Sequence, residues 1–221
     1  MKYINLFFCF VMAAFFVGCG KKNNQKLAKT YFKTAFMELA DDRKGNARLQ
    51  SALHQINLAI DQLVKPEYLA LKATILQYQG HTLESLSFFN KALALPMDPG
   101  LKAQIMNNFA CVQAQGGDYA RAKEIWQELA ASSWYPTPEV AWVNLGKMYL
   151  EYNDPTRAKE AFKTATVLAP QYVDAHFYLA VAAQAAGQKS LAKAGLDAVF
   201  ALEPEHGPAH AFGEKYGLLV G

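Results

Sequence analysis

Side chains able to do acid–base or metal chemistry gather at one stretch of this 221-residue chain, Glu203, Glu205, His206 and His210. Two histidines four apart on a helix would present both imidazoles on one face, an arrangement that holds zinc. Here Gly207 and Pro208 lie between them and interrupt a regular helix face, so the stretch reads as an exposed linker before a terminal helix. His54, His81 and His176 stand alone. A thiol at Cys111 would act as a nucleophile only beside a base. Its place inside an apolar helical stretch reads instead as a small buried or groove-lining side chain. The chain contains no Walker lysine motif, no G-x-G-x-x-G, no G-x-S-x-G elbow and no H-E-x-x-H. These absences lead to the expectation of a chain that is not an enzyme and has no metal, cofactor or small-molecule substrate.

Composition narrows the class further. Hydrophobic residues make up 52% and charged residues 19%, which excludes a disordered or collagen-like chain. A net charge of +3, from 22 basic and 19 acidic residues, is too balanced for a nucleic-acid partner. The N-terminus is distinctive. After Lys2, the run from Ile4 to Val17 is apolar except for Asn5, a length of 14 residues against the roughly 20 that span a bilayer. It closes in Phe16-Val17-Gly18-Cys19, followed by Gly20-Lys21-Lys22-Asn23-Asn24.

This segment resembles a bacterial lipoprotein signal peptide. The resemblance implies that residues 1–18 are removed, that Cys19 carries a covalent lipid, and that residues 19–28 form a short tether. Cys9 would leave with the signal, so Cys111 would be the one thiol of the mature chain, with no partner for an intramolecular disulfide. Gly20 stands where an aspartate commonly retains lipoproteins in the inner membrane. The expected location is therefore the cell envelope, anchored in the outer membrane and facing the periplasm.

Any such groups must be positioned by helices. From about Leu27 onward apolar residues recur at spacings of three and four, without sustained alternation. Trp142, Leu145, Gly146, Tyr149, Ala158, Phe162, Ala165 and Pro170 form an ordered set, and His176, Leu179, Ala180, Ala183, Ala192, Leu196, Val199 and Pro204 repeat its size classes 34 residues later. Small anchors at Ala52, Ser85, Ala122, Ala158 and Ala192 are spaced by 33, 37, 36 and 34. The pattern resembles the tetratricopeptide repeat. The implied fold is all-α, a tetratricopeptide superhelix (an α-α solenoid) of about five helix-turn-helix repeats with a C-terminal capping helix. The repeat domain would cover 29–221, with repeats at about 29–65, 66–102, 103–138, 139–172 and 173–206 and a cap at 207–221. Helices are expected over Lys29–Ala40 and Ala47–Leu63 in the first repeat and over Pro208–Leu219 at the end. Loops are expected at Pro96–Gly100 and Ser132–Pro136. Thr137-Pro138 and Asp154-Pro155 each place a cap residue before a first-turn proline.

In that family the first helix of each repeat lines a concave groove. The resemblance therefore implies a partner-binding groove of Gln77 and Tyr78, then Asn107, Asn108 and Cys111, then Val143, Asn144 and Lys147, then Phe177, Tyr178 and Val181. Asn108 and Asn144 fall at the position that bonds a ligand backbone in peptide-binding members, and an amide donates and accepts at once. Both side chains are expected to point to solvent when no partner is present, and the alternative left open is that the groove side chains only solvate the inner face or bond neighbouring helices. Trp134 and Tyr135, in the loop, are expected to pack against the neighbouring repeat and are next in line as contacts should the groove not bind.

Two functions stay open. One is a membrane-tethered periplasmic adaptor for envelope enzymes or assembly-machine subunits. The other is a pilotin-like factor that helps a secretin assemble in the outer membrane for type IV pili. Asn107-Asn108-Phe109-Ala110 and Tyr135-Pro136-Thr137-Pro138 are similar to segments of that second family.

Overall fold

The computed structural model describes residues 24–41 and 46–219, and every helix or strand assigned among them is an α-helix. The signal segment 1–18 and Cys19 lie outside the described residues. Among the described residues no helix is long and apolar enough to cross a membrane. The chain divides into two compact units between Met97 and Asp98, inside the loop expected at 96–100.

The first unit holds α1 (24–40), α2 (Ala47–Gln62), α3 (Pro66–Tyr78) and α4 (Thr82–Leu93). Ala28, Ala35, Ala52, Ile56, Ala59, Tyr68 and Ile75 form its core, and Phe32 stacks on Tyr68 at 4.7 Å. Residues 24–28, expected in a tether, are helical instead, and Ala28 is fully buried. Ala28 and Ala35 sit two turns apart on one face, so the same apolar stripe draws in the start of the helix. Helix α2 stops at Gln62, one residue early, because Leu63 is already extended. Pro66 occupies the first turn of α3 and holds Lys65 in the β region (φ −137°, ψ 151°).

The second unit holds α5 (Pro99–Gln115), α6 (Tyr119–Ala131), α7 (Pro138–Glu151), α8 (Pro155–Leu168), α9 (Val173–Ala185), α10 (Lys189–Leu202) and α11 (Gly207–Tyr216). Successive helices pack on one another, and α5 also meets α7, as α7 meets α9. Asp98 accepts from the Leu101 amide at 2.9 Å and opens α5 at Pro99, so the repeat boundary expected at 102/103 falls inside that helix. Asp154 caps α8 as expected, through the Arg157 amide at 2.9 Å. Asp118 caps α6 in the same way through Arg121 at 3.1 Å. Thr137 precedes α7 without a side-chain capping bond; it interacts instead with Tyr135. Helix α11 ends at Tyr216, short of the expected Leu219, because Gly217 turns left-handed (φ 58°) and reverses the chain.

Two devices recur in the helix pairs. The first is a small side chain at each close approach. Ala110, Ala122, Ala158, Ala180 and Ala192 are fully buried, and a Cβ on Gly146 would sit 2.6 Å from the Phe162 ring. Ser85 takes the alanine's place in α4, where its hydroxyl donates to the Ala73 carbonyl at 2.8 Å. The second is the reversal between paired helices. Gly80, Gly117, Asn153 and Gly187 all have positive φ. The next amide donates back to a carbonyl five residues earlier: His81 to Leu76, Asp118 to Gln113, Asp154 to Tyr149 and Gln188 to Ala183, at 2.8–2.9 Å. These are Schellman closures, which satisfy the last carbonyls of each first helix.

Candidate functional site: the first-helix face of the second unit

Helices α5, α7 and α9 are the first members of their pairs, and their contacts bring the expected groove residues of the second unit side by side. At the centre, Asn144 donates from its amide nitrogen to the Asn107 amide oxygen at 2.9 Å, with the Cys111 sulfur 3.8 Å away. Asn144 is therefore a half-buried member of an amide pair, which corrects its expected solvent-facing pose. Asn107 is 9% exposed and belongs to the interior, whereas the neighbouring Asn108 is exposed. Val143 is 1% exposed and packs against Ala158, Phe162 and Leu179, so it is core and does not line a groove. The reason is geometric. The helix turns its 143 position into the gap between α8 and α9, where an apolar side chain is best buried.

Lys147 reaches across to α9. Its ammonium lies 4.2 Å from the Tyr178 ring centroid and 4.0 Å from the Asp174 carboxylate. Tyr178 stacks on Phe162 at 5.7 Å and meets Phe177 edge-on at 5.3 Å. Phe177 extends the row to His206 and Phe212, at 5.3 and 6.0 Å. Val181 is half-buried beside this row in sequence. Burial pushes the Cys111 thiol up to about 11, against a smaller opposing pull from the Lys147 charge. That thiol is not an activated nucleophile.

The linkers add groups that helix positions alone did not indicate. Tyr135 is 5% exposed, with Thr137, Glu139 and Cys111 in its surroundings. Burial raises the Tyr172 hydroxyl first, followed by the charges of Asp174 and Glu139. Trp134, by contrast, is exposed. In the first unit, Gln77 is half-buried and Tyr78 is exposed, and Tyr78 borders a cavity of about 280 Å³ with Asn46, Leu49, Gln50, Gln79 and His81.

Three of the histidines do structural work. His176 donates from Nε2 to the Pro170 carbonyl at 2.9 Å, and His210 repeats this with Pro204 at 2.8 Å, 34 residues later. His206 accepts the Ala209 amide on Nδ1 at 3.1 Å and caps α11. Among the described residues no group of three His, Cys, Asp or Glu is placed to hold a metal ion.

Helix pairs with small residues at each crossing, closed by the same reversal and presenting polar and aromatic groups on their first helices, define a helical-repeat protein. Residues 140–172 match the tetratricopeptide repeat model. The chain shares its fold with PilF of Pseudomonas aeruginosa, at TM-score 0.71 and 18% identity over 88% of this chain and 85% of that one. It is also similar to PilW, described as a widely conserved type IV pilus biogenesis factor, at TM-score 0.64 and 21% identity over 82% and 77% of the two chains. A third similar structure is YrrB, described as a TPR protein with an unusual peptide-binding site, at TM-score 0.54 and 18% identity over 87% and 95%. No curated protein sequence matches the chain. The fold is the tetratricopeptide-type solenoid.

Proposed function

We propose that this chain is a lipid-anchored scaffold of the bacterial cell envelope that holds partner proteins on the first-helix face of its second unit. One observation carries the reading. Asn108, Asn144, Lys147 and Tyr178 form an exposed to half-buried row on neighbouring first helices, with amides, an ammonium and a ring offered together. Such groups can hydrogen-bond an extended backbone and stack against its side chains. The anchor is the lipid on Cys19, and Gly20 after it favours the outer membrane, with the folded part in the periplasm. A second reading is favoured by the fold likeness to PilF and PilW over most of each chain. In it the partner is a secretin and the scaffold acts as a pilotin-like assembly factor.

The test is a pull-down from detergent-solubilised membranes with the wild-type chain and with Asn108→Ala combined with Lys147→Ala. Loss of two polar contacts should weaken a partner held on this face by about five- to a hundredfold. A secretin among the lost partners selects the second reading, and envelope hydrolases or assembly-machine subunits select the first. Partners held equally by both chains would remove this face from the mechanism.

A further inference from the structure

Helix α1 starts at residue 24, five residues after Cys19. A chain extends at most about 3.6 Å per residue, so those five reach no more than about 18 Å. The proposed lipid would therefore hold the start of α1, and with it the first unit, within that distance of the bilayer. One side of this helix is committed to the unit. Ala28 and Ala35 are buried, and Tyr31, Phe32 and Leu39 pack against the same core. The other side carries Lys26, Lys29, Lys33, Phe36 and Met37, at spacings of three and four that make a single stripe. All five are exposed, Phe36 at 59% and Met37 at 61%. Thr30, within the stripe, donates its hydroxyl to the Lys26 carbonyl at 3.1 Å and so brings no unpaired donor. The stripe is one-signed. None of its three lysines has an ion-pair partner among the described residues. Glu38 and Asp41, the acidic residues next along the chain, are half-buried and each has an interaction of its own. Between Cys19 and Ala40 five lysines stand against one glutamate, an excess larger than the +3 of the whole sequence.

We infer that this outward stripe of α1 lies on an anionic phospholipid surface, so that the first unit rests on the bilayer instead of hanging from its tether. Two observations choose a membrane as the occupant: the short reach of the chain from Cys19, and a positive face without carboxylates. The division along the helix fits that orientation. The lysines fill the half of α1 nearer the anchor, where flexible stems let the ammoniums meet lipid phosphates. Phe36 and Met37 follow in the farther half, about 18 Å from the helix start at roughly 1.5 Å per residue, and can dip between headgroups. Two apolar side chains alone would not hold a protein on a membrane, and scattered ones need no occupant. Here the lipid supplies a high local concentration and the charges supply direction, so weak contacts suffice. The inference rests on the lipid anchor proposed above, and it involves none of the side chains of the first-helix face of the second unit.

The experiment uses the full chain, purified from membranes with its lipid and reconstituted into vesicles of phosphatidylglycerol and phosphatidylethanolamine. Met37→Cys carries an environment-sensitive nitrobenzoxadiazole probe, and the unsubstituted chain treated alike gives the background from Cys111. Vesicle flotation reports the anchor, and probe emission reports the stripe. The probe should read an apolar setting and be quenched by spin-labelled lipid. Each lysine near an anionic surface is worth about fivefold, so Lys26→Glu with Lys29→Glu and Lys33→Glu should lower the ratio of docked to free stripe at least about tenfold. High salt should do the same while the chain still floats with the vesicles. The substituted positions are exposed, so circular dichroism should show the fold intact, and the salt and lipid arms need no charge substitution. A probe that stays in water on floating vesicles would overturn the inference and leave the anchor standing. A chain that does not float would overturn both. Equal emission on phosphatidylcholine vesicles, or indifference to charge reversal, would also overturn it. A shift on neutral vesicles that grows with the number of chains per vesicle would give the stripe to a second copy and overturn the inference equally.

Discussion

At the residue scale, burial decides which side chains can do anything. Cys111 shows this most directly. Its thiol sits between Asn144 and Lys147 yet titrates at about 11, because desolvation outweighs the nearby ammonium. A raised pKa means less thiolate at neutral pH, so at pH 8 its alkylation by iodoacetamide should run about a hundredfold slower than that of an ordinary thiol. The rate should keep climbing above pH 10, where an exposed cysteine has levelled off. A plateau near pH 9, with the fold intact by circular dichroism, would contradict the burial of this thiol. Asn107 and Asn108 illustrate what the sequence leaves illegible. One residue apart, they differ by a third of a turn, and one is interior while the other is exposed. Helix α5 buries Ala103, Ile105, Phe109, Ala110 and Val112 around much of its circumference. With apolar residues on several faces, periodicity does not say which amide turns outward.

Elements were more legible, because small volumes at fixed spacing admit few explanations. Ala158, Ala192 and Gly146 mark helix crossings in the sequence, and the structure places a neighbour against each. Gly146→Ala should therefore cost about 1–3 kcal/mol, as a methyl 2.6 Å from the Phe162 ring forces α7 and α8 apart. Thermal unfolding measures it, and an unchanged melting temperature would mean that the α7–α8 crossing has room for the methyl. The reversals give a graded series. Gly187→Ala should lose about 1 kcal/mol, since a Cβ is disfavoured at φ 73°. Asn153→Gly should be nearly neutral, because asparagine already tolerates that region at φ 54°. Equal losses from both would point to side-chain contacts of Asn153 rather than backbone conformation. Helix ends were read less well. The motif before Pro138 looked the same as that before Pro155, but Thr137 engages Tyr135 while Asp154 caps its helix.

At the scale of the whole molecule, location and assembly are separate questions. The proposed lipid on Cys19 predicts that Cys19→Ser releases the chain from membranes with its helical content unchanged. Retention of the variant in the membrane fraction after a high-salt wash would argue against the anchor. Assembly raises a different hazard. In a chain of look-alike units, the characteristic error is one helix taking its neighbour's seat, within a molecule or between two copies. The Asn107–Asn144 bond is a polar match that such an exchange would break, and in that sense an address. Helices α5 and α7 carry matching amides across their contact, while α9 presents Phe177 and Tyr178 at the corresponding positions. An exchanged arrangement would press a buried amide against a ring and leave it unpaired, at about 1–3 kcal/mol. Replacing both asparagines with leucine should keep or raise the melting temperature, yet refolding should yield exchanged dimers beside the monomer on size exclusion. A single monomer peak would reduce the pair to a local contact. Such an address is a property of mismatches, and it can be seen only by asking which wrong neighbours the correct bond excludes.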